Sequence, residues 1–237
     1  MGFLKRFLRN VLRDGSLPTS ASSFERLSKE ELEAHLGVSR YGDFVLTDAV
    51  RPSYDLQVVP SQGYRHDSYR DEPTRTSVPV IMAAVSRPAL FDVFMDLIDP
   101  LGPVVDAVLE TSHHRDKHGH VDLYREHIDV PVLKSILWEY EDLLTNDGCA
   151  GLAVLNPGVP QEIQFDEHKL LIIYGEHLDP FEEILRERKV ACEEGMKFIT
   201  EAEHVHSSSD HYARLFEELQ TRLGMDCGFN YEAGARS

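Results

Sequence analysis

The sequence predicts an α/β protein, or alternatively an α+β protein, in which helices form a layer on a mixed β-sheet. Short apolar runs typical of strands alternate with amphipathic segments typical of helices between residues 78 and 224. Apolar residues make up 42% of the 237-residue chain, which is enough to form a buried core. A ferredoxin-like split topology is one arrangement that this order of elements allows.

The first half of this region is predicted to form a strand, a helix and a second strand. Residues 80–85 are a short apolar run, which is typical of a buried strand. Ser86 and Pro88 then mark the start of a helix. Residues 104–111 alternate in polarity, as in a strand with one wet face. Two strands joined through a helix predict a parallel crossover.

The second half continues the alternation after a polar, histidine-rich loop over residues 113–128. Pro131 begins the clearest amphipathic helix of the chain. The Asn-Pro-Gly turn at residues 156–158 favours a local antiparallel pair. The other predicted elements are strands at 151–155, 161–165 and 170–174, a helix from Asp179, a strand from 196 toward His206, and a last helix capped at 207–210.

Composition divides the chain into four segments. They are a basic amphipathic helix plus Ser-rich linker at 1–24, an irregular N-terminal extension at 25–77, the layered domain at 78–224, and a flexible tail at 225–237. Within the extension, the Ser28–Glu31 spacing has the form of a capping box and predicts a short helix. We also expect strands at 43–47 and 55–59 around a turn at Arg51, followed by a loop over 60–77.

The N-terminal segment differs in charge from the rest of the chain. Residues 1–24 contain four basic residues and one acidic residue, whereas the remaining chain has 20 basic and 40 acidic residues. Residues 3–13 carry an apolar stripe at helical spacing. Such a helix can contact an anionic membrane surface, act as an organelle-targeting peptide, or dock on an acidic face of its own domain or of a protein partner.

Composition also limits the partners and the compartment. The formal net charge of −17 argues against nucleic acid as the main partner, because binding phosphates needs a concentrated basic face. No apolar run approaches the ~18–20 residues of a membrane-spanning helix. Cys149, Cys192 and Cys227 form no CxxC pair and indicate free thiols in a reducing compartment. We therefore expect a cytoplasmic protein, unless the N-terminal helix directs it to an organelle or a membrane surface.

Two classes of function fit these observations. The chain has no phosphate-binding loop, dinucleotide fingerprint, GxSxG or HExxH motif. A layered domain without a known catalytic motif, tethered to a basic helix, favours a non-enzymatic adaptor or regulatory module with a protein partner. The alternative is a metal-dependent hydrolase that uses clustered histidines, since neutral imidazole binds zinc and other divalent transition metals.

The metal hypothesis rests on the positions of the histidines. Eight of the twelve fall in two short segments, at 113–127 and 204–211. His204 and His206 are two positions apart, so a strand places both on one face, and they are the first predicted ligands. We expect the third ligand from His211, or from the His113/His114 pair, with zinc as the default metal. Glu110 and Glu203 are the candidate general bases.

One further polar group lies between two apolar strands. Residues 166–169 have the sequence Asp-Glu-His-Lys. In a catalytic interpretation, Glu167 and His168 could form an acid–base pair. In a structural interpretation, four polar residues between two strands predict a turn, and we favour the turn.

Overall fold

The structure is a computed structural model that describes residues 22–71, 76–113 and 121–225. The helices in these ranges are α1 (Lys29–Leu36), α2 (Arg87–Ile98), α3 (Val130–Glu139), α4 (Glu141–Asn146), α5 (Asp179–Glu187) and α6 (Asp210–Arg222). The strands are β1 (Arg40–Tyr41), β2 (Phe44–Val45), β3 (Val50–Pro52), β4 (Gly63–Asp71), β5 (Thr76–Ala84), β6 (Val104–Thr111), β7 (Val121–Asp129), β8 (Ala150–Leu155), β9 (Glu162–Phe165), β10 (Leu170–Tyr174) and β11 (His204–His206).

Seven strands form one sheet in the order β4-β5-β10-β9-β8-β6-β7. The layered α/β architecture is confirmed, but every neighbouring pair is antiparallel, whereas we expected a mixed sheet. The strands β5 and β6 do point the same way across α2, as a crossover requires. They are not neighbours, because β10, β9 and β8 lie between them. A ferredoxin-like split inserts one strand at this place, so the present split is wider.

The helices cover one face of this sheet. Phe94 of α2, Leu133 of α3 and Leu219 of α6 belong to the same buried cluster as Leu109 and Ile173 of the strands. Adjacent strand residues point to opposite faces, and the opposite face over β5 and β10 is covered by different segments. Its contacts come from the segment before β3 and from the segment before β11, through Phe44, Leu46, Met196, Phe198 and Ile199.

The two edge strands are the elements that the sequence analysis missed. Gly63–Asp71 form β4, where we expected a loop, and Val121–Asp129 form β7 at the other edge. Strand β7 pairs with β6 alone and exposes most of its side chains, while β4 pairs with β5, makes one further bridge from Tyr64 to Cys192, and is exposed at its centre. Both strands are therefore polar and lack the apolar alternation of inner strands. Residues 114–120 lie outside the described ranges.

Three smaller expectations are also wrong. Val50–Pro52 form a strand rather than a turn, because β3 pairs with β11. Residues 55–59 form no strand. The segment at 196–200 is not extended throughout, since Ile199–Glu201 form a 3₁₀ turn before β11. By contrast, the Ser28–Glu31 capping box is confirmed.

No helix in the described ranges combines the length and the apolar character that crossing a bilayer requires. The predicted amphipathic helix at 3–13 and nearly all of the predicted tail at 225–237 lie outside these ranges.

Candidate metal centre

The strand β11 places two histidines beside the main sheet. His204 and His206 pair with Pro52 and Val50 of β3 in a two-stranded antiparallel sheet. Arg51 of β3 is buried, and its guanidinium donates hydrogen bonds to the backbone oxygens of Thr47 and Val50. Because this arginine fixes β3, it also fixes the strand that carries the two histidines.

The turn between β9 and β10 supplies a third histidine. Lys169 N donates to Asp166 O at 3.0 Å, which closes the turn. The Asp166 carboxylate accepts hydrogen bonds from the backbone amides of His168 (3.0 Å) and Leu170 (2.8 Å). The predicted turn is therefore confirmed. His168 also pairs with Asp166, through Nδ1 at 2.7 Å, rather than forming the alternative pair with Glu167.

The rings of His168, His204 and His206 converge. Their centroids lie 4.7–5.1 Å apart, and one ring nitrogen from each lies within 4.8 Å of the other two. His204 Nδ1 contacts Ala202 O at 2.8 Å, and His206 Nδ1 contacts Gly148 O at 2.7 Å. A carbonyl oxygen only accepts, so both Nδ1 atoms carry the hydrogen and both Nε2 atoms keep a lone pair.

His168 has the same arrangement with a carboxylate in place of a carbonyl. Its Nδ1 donates to Asp166, which leaves Nε2 as the free ring nitrogen. A histidine that ligates a metal commonly donates its second ring N–H to a carboxylate or a backbone carbonyl, which fixes the tautomer and the ring orientation. All three rings meet this condition at Nδ1, and His168, whose pKa the Asp166 carboxylate raises, would give up its Nε2 proton when a metal binds.

The protonation states differ within the group. Burial lowers the pKa of His204 below its ordinary value, and burial together with the charge of His168 lowers the pKa of His206 to about 4. Burial also acts to lower the pKa of His168, but the Asp166 carboxylate outweighs it and raises that pKa. His204 and His206 are therefore neutral at neutral pH, as metal ligands must be.

The surroundings of the three rings have one open and one crowded side. Part of His206 reaches solvent although its ring is surrounded on the side of His168 and Gly148, and this gives an ion or a small substrate a route to the group. Gly148, which holds His206, is packed so closely that a Cβ there would lie 2.3 Å from Ala49 O and 2.9 Å from Ser207 O. Glu167 is half-buried nearby and accepts a hydrogen bond from Ser112 Oγ at 3.3 Å. The charge of Glu167 raises the pKa of each of the three histidines.

The other predicted ligands lie elsewhere. His211 is exposed on the first turn of α6, packs against Tyr212, and joins none of the candidate ligand groups in the described ranges. His113 points to Asp147, with its Nε2 2.8 Å from Asp147 Oδ2. His114 lies outside the described residues. The structure thus brings His168, rather than His211 or His113, to the predicted pair.

The two candidate general bases have other contacts. Glu203 accepts hydrogen bonds from Ser22 Oγ at 2.5 Å and Ser23 N at 2.8 Å, which fastens the start of the described chain next to β11. Glu110 lies on β6, where burial, followed by the charges of neighbouring carboxylates, raises its pKa to about 8. Glu110 is therefore protonated at neutral pH and cannot accept a proton there.

Two more groups of potential ligands occur in the described residues. One consists of His113, Asp147 and Cys149, and is largely buried. The other consists of His66, Cys192 and Glu194, and is exposed. In the exposed group, His66 Nδ1 contacts Glu194 at 2.5 Å and its Nε2 contacts Glu182 at 2.9 Å, so both ring nitrogens have partners.

No protein-family model, no curated protein and no solved structure matches the chain. The function must therefore be argued from the geometry of the site.

Proposed function

We propose that the chain is a metal-dependent hydrolase with a divalent transition metal, zinc first, bound by His168, His204 and His206. One observation carries the proposal: three imidazole rings converge, with one ring nitrogen of each within 4.8 Å of the other two, while each Nδ1 has an oxygen partner. Three imidazoles with carboxylate or carbonyl partners are the ligand set of catalytic zinc sites. This alternative from the sequence analysis now has better support than the adaptor hypothesis.

Three protein ligands leave a fourth position of tetrahedral zinc for water. Bound zinc lowers the pKa of that water from 15.7 to about 7, which makes hydroxide available at neutral pH. The hydroxide would add to an electrophilic carbonyl carbon or phosphorus, and the leaving group would take up a proton. Because His206 is exposed, a substrate has access to this position.

Glu167 is the carboxylate best placed to move the proton. It is half-buried next to His168 in the chain, and its charge acts on all three histidines. Among the described residues its side chain accepts one weak hydrogen bond, from Ser112 Oγ. We assign it the role of general base, in place of Glu110 and Glu203. A general base contributes roughly 10²–10⁴-fold to the rate.

The test combines metal content with turnover. Protein stripped with a chelator and reloaded with zinc should hydrolyse activated esters or phosphoesters of p-nitrophenol. The double variant His204→Ala, His206→Ala should stay folded by circular dichroism, hold at least one zinc fewer by mass spectrometry, and lose the activity. His211→Ala is the matched control, because that histidine lies nearby in sequence and outside the group, and it should retain both.

The Glu167→Gln variant separates catalysis from simple metal storage. It should keep the zinc of the wild type and lose turnover by roughly 10²-fold or more. If this variant has the zinc content and the turnover of the wild type, Glu167 is not the general base. Zinc binding without turnover of any ester or phosphoester would leave a metal site and refute the hydrolase.

The adaptor hypothesis keeps one structural argument of its own. Val132 and Trp138 of α3 are each 50% exposed, and large apolar side chains on a surface are a feature of protein contact sites. If the adaptor function holds, a partner should quench or shift the fluorescence of Trp138, the only tryptophan in the chain.

A further inference from the structure

Asp147 is a buried carboxylate that lacks hydrogen bonds. Its side chain is fully buried, and neither carboxylate oxygen makes a hydrogen bond within the described residues. Burying a charged group is costly unless it is paired and hydrogen-bonded, or coordinates a metal. Its ion-pair partner among the described residues is His113, whose Nε2 lies 2.8 Å from Asp147 Oδ2.

This short contact is not a hydrogen bond. His113 Nε2 and both Asp147 oxygens lack hydrogen-bond geometry, although the nitrogen and one oxygen are at hydrogen-bonding distance. Two such atoms that lie close together without pointing at each other have the relation of neighbouring ligands around a common centre. This is the arrangement expected when the lone pairs of His113 Nε2 and of the Asp147 oxygen both point at a third atom, such as a metal ion.

The ring of His113 is held in the orientation that a ligand needs. Its Nδ1 lies 2.6 Å from the Thr111 hydroxyl, and Phe216 packs edge-on against the ring. The hydroxyl can accept from Nδ1–H, which leaves the lone pair on Nε2, on the side of Asp147. The Cys149 sulfur completes the set, since one donor atom each from Cys149, Asp147 and His113 lie within 4.8 Å of one another.

We propose that His113, Asp147 and Cys149 form a second metal site, which takes zinc or cobalt through one nitrogen, one oxygen and one sulfur ligand. The thiolate gives this site a softer ligand than any in the three-histidine centre. The two sites are neighbours along the chain, because Gly148, between Asp147 and Cys149, accepts the hydrogen bond of His206 Nδ1. The second site does not depend on the first for its ligands.

Lys169 explains how the metal-free chain tolerates these ligands. Its ammonium is buried, donates to Ala150 O at 2.8 Å, and lies within electrostatic reach of Asp147 and Cys149. Lys169 thus supplies positive charge near Asp147 when no metal is bound.

Cobalt spectroscopy tests the second site separately from the first. The background is the Cys192→Ser, Cys227→Ser protein, in which Cys149 is the only thiol. Adding Co²⁺ to the folded background protein should produce a near-ultraviolet thiolate-to-cobalt charge-transfer band. The band should vanish in the further variant Cys149→Ser and persist in His168→Ala, which impairs only the three-histidine centre. Absence of the band from the folded background protein overturns the proposal.

Thiol reactivity gives a second measurement that needs no substitution at a buried ligand. In the same background, Cys149 should react with an aromatic disulfide reagent in the metal-free protein and at least ~10-fold more slowly with zinc bound, since a coordinated thiolate is a poor nucleophile. Equal rates with and without zinc overturn the second site, even if His168→Ala abolishes hydrolysis. Protection of Cys149 without any hydrolysis supports the second site and refutes only the proposed function.

Discussion

The three-histidine centre and the exposed His66 group contain similar residues, but the ring nitrogens of their histidines are hydrogen-bonded differently. In the centre, each ring uses Nδ1 for an oxygen partner and keeps Nε2 free. In the exposed group, carboxylates occupy both nitrogens of His66, and these hydrogen bonds raise its pKa above the ordinary value. The contacts of His66 with Glu182 and Glu194 therefore favour its cationic form, whereas burial favours the neutral forms of His204 and His206.

The difference shows that proximity of ligand-type residues does not define a metal site. What matters is whether a lone pair remains after the internal hydrogen bonds are formed. The second ring nitrogen of His66 is consumed by a carboxylate, and a metal would have to break that contact first. In the three-histidine centre the internal hydrogen bonds instead use one nitrogen of each converging ring and leave the other without a partner of this kind. The following predictions test this contrast.

The largest effect should follow removal of a ligand. His168→Ala should weaken zinc binding at the three-histidine centre by more than ~100-fold, because two imidazoles leave the ion under-coordinated. His66→Ala should leave the affinity unchanged. Isothermal titration with zinc in the Cys149→Ser background, which removes the second site, measures both. Similar losses in the two variants would show that the contrast between the groups is wrong.

A smaller effect should follow loss of the carboxylate behind a ligand. Asp166→Asn keeps an oxygen that can accept from the amides of His168 and Leu170, but removes the charge that orients His168 and raises its pKa. Zinc affinity should fall by roughly 10–100-fold. The matched change in the exposed group, Glu194→Gln, should have no effect on zinc. The same titration measures both variants.

The pH dependence of stability should have opposite signs for His206 and His66. The pKa of His206 is lowered in the folded state, so between about 4 and 6.5 the unfolded chain binds more protons, and stability falls as the pH falls through this window. The pKa of His66 is raised, so its contribution is full below 6.5 and is lost as the pH rises through the folded pKa.

Urea unfolding of the metal-free protein at a series of pH values checks these signs. The variant His206→Gln should flatten the acid side of the stability profile, and His66→Gln should flatten the side above pH 6.5. A steeper acid limb in His206→Gln would contradict the neutral state of this ligand.

The smallest effect concerns the cause of the His66 cation. The hydrogen bond from His66 Nε2 to the Glu182 carboxylate is the largest contribution to the raised pKa of His66. The variant Glu182→Gln should therefore lower that pKa toward the ordinary value, while zinc binding stays unchanged. Proton NMR titration of the His66 ring follows the shift. A pKa that does not move would show that Glu194 alone holds the cation.

The spacing of residues along the chain is enough to predict His204 and His206 as a pair of ligands. A strand dictates that residues two positions apart share a face, and no knowledge of the fold is needed for that. His168 lies 36 positions before His204. Its approach depends on the sheet order, on the pairing of β11 with β3 and on the close packing at Gly148, none of which has a local signature.

The turn at residues 166–169 shows a related limit. Its polar residues indicated a turn, and a turn is present, but the same turn also carries a candidate ligand and its carboxylate partner. The spacing of Asp166 and His168 matches that of His204 and His206, and was the only available signal. The edge strands β4 and β7 escaped prediction for the opposite reason. Their polar side chains meet solvent, so no apolar period marks them.

His168 lies on a turn of the main sheet and the other two histidines lie in the small sheet, which has a consequence for local opening. An ion shared by these sheets would close residues 168–204 into a ring. Forming such a cross-link in a flexible chain costs roughly 3–4 kcal/mol of entropy. In this fold the pairing of β3 with β11 and the contact of His206 with Gly148 already hold the two ends of this ring together before an ion binds. Exchange of the β11 amide hydrogens with solvent should therefore slow when zinc is added, because the small sheet can then detach only after the ion leaves.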